Sequence, residues 1–179
     1  MRDKDIMKDK LVIRDENPAD YAAVHDIVQA AFSGHPYSSG TEHLIVCALR
    51  ERKAAILALV AIEGKSVIGQ IMFSPMTING QDSNWHALGP VAVHPDHQRQ
   101  GVGSQMIMKG LAQLRVMNSE GCILLGSLDY YGRFGFLPSV ELRVPGLPQE
   151  HLLILPFSDA VPTGIAAFDE AFEVESASE

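Results

Sequence analysis

The chain is poor in the features that staple, export or anchor a protein. Cysteine occurs only twice in 179 residues. Cys47 and Cys122 both sit in apolar patterns, which predicts reduced, buried thiols rather than a bridge. Neither has a neighbouring histidine or helix start that would make it a nucleophile. No apolar run approaches the ~18 residues of a membrane helix. The longest, Ala54 to Ile62, is strand-sized. The first residues, with Arg2, Asp3, Lys4 and Asp5, lack the apolar core of an export signal, so a cytoplasmic location is expected. Basic residues are also in the minority, 14 against 22 acids for a net charge of −8. That balance argues against a nucleic-acid surface, which needs a basic stripe. Repeats, low-complexity tracts and interdomain linkers are absent as well. What remains, with 46% hydrophobic residues, is enough for one domain with a full core.

Periodicity divides the chain into alternating elements. Leu11 to Arg14 reads as a first strand. Asn17-Pro18 then opens a helix that carries Tyr21, Val24, Ile27, Val28 and Phe32 on one face. Ser33 to Tyr37 breaks it, and Ser39-x-x-Glu42 has the capping-box spacing before a second helix. Ala54–Ile62, Val67–Ile78 and Asn84–Val93 read as three strands, the last two joined by the hairpin dipeptide Asn79-Gly80. A helix from Gln105 to Met117, a buried strand from Gly121 to Gly126 and a short aromatic helix follow. Gly146-Leu147-Pro148 and the apolar Leu152 to Leu155 suggest a terminal hairpin.

The segment between the central strand and the third helix carries the chemistry. Gln98-Arg99-Gln100-Gly101-Val102-Gly103-Ser104 is a polar loop that turns into a helix whose first turn lacks bulk. A helix start presents unpaired N–H groups and partial positive charge, so it attracts phosphate. Glycines at 101 and 103 allow close approach to the main chain. From His94 to Arg115 three bases face one acid, so this region is basic within an acidic whole. A nucleotide P-loop would place Lys after the second glycine, and a dinucleotide fingerprint would place a third glycine where Met106 stands. Neither fits. His94-x-x-His97, with Pro95 between and no third ligand, predicts no metal.

Val93 to Gly103 resembles the pyrophosphate loop of the GNAT superfamily of acyl-CoA-dependent N-acyltransferases, Gln/Arg-x-x-Gly-x-Gly/Ala. Tyr131, Gly135 and Phe136 match that family's second pattern, Tyr-x-x-x-Gly-Phe, and the run Tyr130 to Phe136 is similar to the YhbS-like bacterial branch. The resemblance spans about Leu11 to Phe136, a recognisable core ending near Ser139, with residues 140–179 as a hairpin and tail.

The resemblance implies a single α/β (α+β) domain of the GNAT fold. Its mixed central sheet of about six to seven strands, splayed at the centre, is flanked by about four helices. It implies acetyl-CoA as cosubstrate, with Val91, Ala92 and Val93 taking the pantetheine arm. The pyrophosphate would lie on Gln98, Arg99, Gln100, Gly101, Val102, Gly103 and Ser104. An acetyl group would pass to a primary amine of a small molecule or protein by direct attack through a tetrahedral intermediate. Tyr131 takes the general-acid position. Glu42, His86 and Asp129 are candidate bases, each with an ordinary structural job as the alternative: capping for Glu42 and Asp129, an exposed strand position for His86. Tyr130, Phe134 and Phe136 are expected in the core. His35, Tyr37 and Phe157 are candidate acceptor-pocket residues. Two rival readings are a non-catalytic acyl-CoA sensor and a tRNA-modifying toxin of the same fold, the latter opposed by the charge. A homodimer is compatible with the fold, and no residue pattern fixes it.

Overall fold

The computed structural model describes residues 10–34 and 38–174. Among the described residues nine strands form one sheet, with a main path in the order β1, β2, β3, β4, β5, β8, β6. β1 (Val12–Asp15), β2 (Leu57–Glu63), β3 (Ser66–Ile78) and β4 (Gln81–Val93) make an antiparallel half. β5 (Gly121–Leu125) runs parallel to β4, and β8 (Leu152–Pro156) pairs antiparallel with both β5 and β6 (Leu137–Pro138). The predicted order of elements holds through β5 and the helix after it. The C-terminal part departs from expectation: β7 (Leu142–Arg143) does not pair back onto β8 as a hairpin. It lies parallel to β9 (Gly164–Ala167), which returns to the end of β3 at Thr77 and Ile78. These short strands raise the total above the expected six to seven.

Helices cover both faces. α3 (Val102–Val116) packs on one side, where Met106, Ile107, Leu111 and Leu114 meet Ile71, Phe73, Leu88 and Cys122 in a single buried cluster. α1 (Tyr21–Phe32) and α2 (Glu42–Glu51) cover the other side through Val24, Val28, Val46 and Leu49 against Val60, Met72 and Ala92. Beyond them the same face is covered by the C-terminal segment, through Leu142, Val144 and Ala166 on Met76, Trp85 and Ala87. A terminal turn adds Ala171 beneath α2, fixed by the ion pair of Arg52 with Asp169 at 2.7 Å. Of the two cysteines, Cys122 is buried as expected, whereas Cys47 is only half-buried; both are free.

Local chemistry explains the boundaries. Asn17 caps a 3-10 turn with proline at its first position, and Asp20 completes the capping box before α1 begins. Asn79 and Gly80 both adopt positive φ, as a two-residue hairpin turn of this twist requires. α2 starts at Glu42, two residues later than its capping-box spacing predicts. Glu42 still reaches back to the Ser39 N–H, at 3.0 Å, but does so from the first helical position.

Two features of β4 prepare the site. Phe73 pairs with Leu88 and Ile71 with Val91, so β4 holds one more residue than β3 across this stretch, a bulge at Gly89-Pro90. β5, in turn, pairs with β4 only at Trp85, His86 and Ala87. From Leu88 onward the two strands part, and the C-terminal half of β4 has an open edge.

Candidate active site and cofactor cleft

The open edge of β4 presents backbone donors. The His94 N–H bonds to the Ile68 carbonyl at 2.8 Å, so alternation turns the N–H of Ala92 toward β3 as well. Those of Val91 and Val93 therefore face away from β3, into the gap left by β5. The chain after Val93 is built to keep its shape. Gln98 donates its side-chain amide to the Val93 carbonyl, and Gln100 donates to the Asp96 carbonyl, each at 3.0 Å. Both glutamine side chains are thus engaged within the loop, which leaves main-chain groups and Arg99 as its ligand-facing donors.

Arg99 has φ +58° and Gly101 φ +84°. A positive φ on a non-glycine residue costs energy and concentrates at functional turns. Here it folds successive N–H groups toward one side, as anion-binding nests do. The first intrahelical bond of α3 runs from Gln105 to Gly101. The N–H groups of Val102, Gly103 and Ser104 lie ahead of it, free of the helix ladder. A Cβ on Gly103 would lie 3.2 Å from the Tyr130 hydroxyl oxygen and 3.6 Å from Val93. The absence of that carbon keeps the start of α3 in close contact with α4 (Leu128–Tyr131).

These elements enclose a cleft of about 680 Å³ between α1, β4, the loop and α4. Val91, Val93, Gly101, Gly103 and Ser104 line it. Its charged lining side chains are all basic or histidine: His97, Arg99 and Arg133. A second, open cavity of about 790 Å³ lies between α1 and the start of α2, and the side chain or backbone of Phe32 borders both. Among the described residues its charged walls are Asp26 and Glu42, with His43 and no lysine or arginine.

The catalytic candidates separate. Tyr131 sits behind the cleft wall, its ring edge-on to Tyr130 at 4.9 Å and against Phe136 at 5.9 Å. Gly126 makes room for it, since a Cβ there would be 2.5 Å from the ring. Burial, then the neighbouring Tyr130 and Cys122, push its phenol well above the usual tyrosine range. Glu42 lines the second cavity and accepts bonds from Ser38 and Ser39. Asp129 is exposed in the first turn of α4. His86 is buried rather than exposed, on the face below the C-terminal end of α3. Its Nδ1 lies 2.7 Å from the Ser119 hydroxyl, which donates in turn to backbone carbonyls. Desolvation lowers its pKa, and it lines neither cavity. Three expected bases are therefore scattered, and only Glu42 borders a cavity. His35 and Tyr37 fall outside the described residues. Phe157 stacks under the Arg115 guanidinium at 4.2 Å. Among the described residues no group of three or more histidine, cysteine or acidic side chains could hold a metal, and no helix is long and apolar enough to cross a membrane.

Residues 12–138 match the family model for an acetyltransferase (GNAT) domain. The chain belongs to the GNAT acetyltransferase family. It is 32% identical over 127 residues to the uncharacterised N-acetyltransferase YhbS of Escherichia coli strain K12, covering 70% of this chain and 73% of that one. A GNAT acetyltransferase from Brucella melitensis, solved with acetyl-CoA, superposes with a TM-score of 0.82 at 42% identity, over 91% of this chain and 98% of that one. YhbS from Escherichia coli, solved with CoA, gives 0.86 at 27% identity over 98% of both chains. Both structural matches extend past residue 139.

Five residues that line the cleft were not among the site residues expected from sequence: Ala31, Phe32, His97, Tyr130 and Arg133. Tyr130 and Tyr131 both pack against the core, and Tyr130 also borders the cleft. Arg133, three positions on, stacks over the Tyr130 ring at 4.6 Å.

Proposed function

We propose that this protein is an N-acetyltransferase that transfers an acetyl group from acetyl-CoA to a primary amine. The observation that carries the reading is the loop from Gln98 to Ser104. Unpaired N–H groups, a positive-φ pair and a wholly basic or histidine charged lining converge on one cleft. The donor set fits a pyrophosphate, since it offers N–H groups and cations and no carboxylate. Each hydrogen bond to a charged acceptor is worth roughly 1.5–3 kcal/mol, so a few suffice for micromolar affinity after ordering costs.

In this reading the outward N–H groups of Val91 and Val93 hold the pantetheine arm as an added strand. One of them lies where a thioester oxygen gains negative charge during attack. A fixed donor at such a position is worth about 3–4 kcal/mol. Attack by the amine forms the C–N bond, collapse breaks the C–S bond, and the departing thiolate takes a proton. Tyr131 is our candidate for that proton. Its phenol is protonated at neutral pH and so present as a donor, and the burial that raises its pKa makes it a weaker acid than an exposed tyrosine.

The amine enters from the second cavity. An alkyl ammonium of pKa about 10.4 must lose its proton before attack. Glu42 is the base candidate that borders this cavity, while Asp129 and His86 act structurally in our reading. The carboxylates of Asp26 and Glu42 favour a cationic acceptor. Two unbridged cysteines suit a reducing compartment, in keeping with a cytoplasmic location.

Acceptor-dependent release of CoA thiol, followed with wild type and Tyr131→Phe, tests the mechanism. Turnover lower by about 10- to 1000-fold in the variant, with CoA affinity retained, is the expected result. Equal turnover would remove Tyr131 from the chemistry.

A further inference from the structure

Tyr130 is the least explained polar group in the cleft. Its hydroxyl stands over Gly103, in the first turn of α3, close enough that a Cβ there would meet it at 3.2 Å. That hydroxyl has no protein hydrogen-bond partner among the described residues, and the half-buried side chain borders the cleft. The ring is held from three sides. Tyr131 meets it edge-on at 4.9 Å, Phe134 lies at 5.7 Å, and the Arg133 guanidinium covers one face at 4.6 Å. Arg133 is itself fixed, because its Nε donates to the Tyr130 carbonyl at 2.8 Å. A side chain so constrained, with an unused donor aimed at an anion-binding helix start, is arranged for a ligand.

We propose that Tyr130 is a positioning residue whose hydroxyl donates to the anionic phosphate group seated over Gly103 and whose ring fixes Tyr131. This rests on the proposed reading of the loop as a CoA pyrophosphate site. The two adjacent tyrosines then divide the work. Tyr131 belongs to the thiol end, and Tyr130 reports from the phosphate end, so a bound phosphate locks the ring that Tyr131 leans on. Arg133 contributes by stacking, and its remaining N–H groups add positive charge to the same wall.

The test compares Tyr130→Phe with wild type toward two donors, CoA and S-acetylpantetheine, which keeps the thioester arm but lacks the phosphates. Phenylalanine preserves the ring and its packing, so stability should be unchanged and only the hydroxyl is removed. Expected is a loss of CoA affinity of about tenfold or more, read by calorimetry. The KM for acetyl-CoA should rise in parallel while kcat changes little. KM for S-acetylpantetheine should be the same in both proteins. Tyr130→Leu, which also removes the ring, should lower kcat with either donor. Wild type that binds CoA while Tyr130→Phe binds it equally well would overturn the assignment and leave the loop reading intact. So would an equal loss toward both donors. Wild type that does not bind CoA would overturn both.

Discussion

Gly110 lies mid-way along α3 where the helix crosses β3, and Gly110→Ala is a stringent test of how the fold sets the cleft. A Cβ at this position would lie 2.3 and 2.4 Å from two carbons of the Phe73 ring. Carbon atoms in favourable contact are about 3.5–4.0 Å apart, so ring or helix must yield by more than an ångström. Phe73 is fully buried, and its pairing partner Leu88 borders the β4 bulge. Neither can move without disturbing the open edge. Overpacking of this kind costs about 2–3 kcal/mol. Replacing a mid-helix glycine returns about 1 kcal/mol of propensity. The net destabilisation of about 1–2 kcal/mol corresponds to a Tm lower by about 2–8 °C for a chain of this size. A displaced α3 also carries its N-terminal N–H groups away from the cleft, so CoA affinity should fall along with Tm. The double variant Phe73→Leu/Gly110→Ala should be less destabilised than the sum of the singles, because the pair is in contact. Thermal melts and calorimetric titration on all four proteins read these quantities. A Tm that rises by the propensity gain, with unchanged affinity, would refute the packing argument.

Acid should destabilise the protein in two steps. His86 is held below its ordinary pKa by burial, so below about pH 6.5 the unfolded chain takes up a proton that the folded site resists, and stability falls as pH drops through that window. His86→Gln should remove this first decline in Tm; a decline of the same size in the variant would show that other groups cause it. The second step belongs to Asp20, whose carboxylate is held below its usual range by the Arg14 guanidinium at 2.7 Å. Its contribution is complete above about pH 3.9 and is lost as pH falls through the lower folded value. Asp20→Asn should flatten that limb, and an unchanged slope below pH 4 would contradict it.

Much of the architecture was legible because it depends on local pattern. Alternating apolar residues located β2, β3 and β4, and Asn79-Gly80 fixed the turn between the last two through positive φ at both positions. The glycines of the α3 start were readable for the same reason, since close approach without a side chain leaves few other residue types. The C-terminal pairings were not legible. β6, β7 and β9 are two to four residues long, too short for periodicity, and their partners are chosen by tertiary packing. The site divides along the same line. Backbone donors at Val91 and Val93 follow from strand alternation once the register is known. Side-chain roles do not, because they depend on which neighbours come together. His86 looked like an exposed strand residue or a base, yet Ser119, far along the chain, encloses it. Tyr130 looked like core and does pack against it, while its hydroxyl also stands over Gly103.

The central claim is that the loop from Gln98 to Ser104 binds the pyrophosphate of acetyl-CoA. Calorimetric titration of the protein with acetyl-CoA, beside a Gly101→Glu/Gly103→Glu variant, tests it most directly. Glutamates at these positions place bulk and negative charge in the first turn of α3, while Gly101 and Gly103 themselves lie outside the buried core. Micromolar binding to the wild type that disappears in the variant, with its Tm still well above the titration temperature, is the predicted result. Wild type that does not bind, or a folded variant that binds as tightly, would contradict the account.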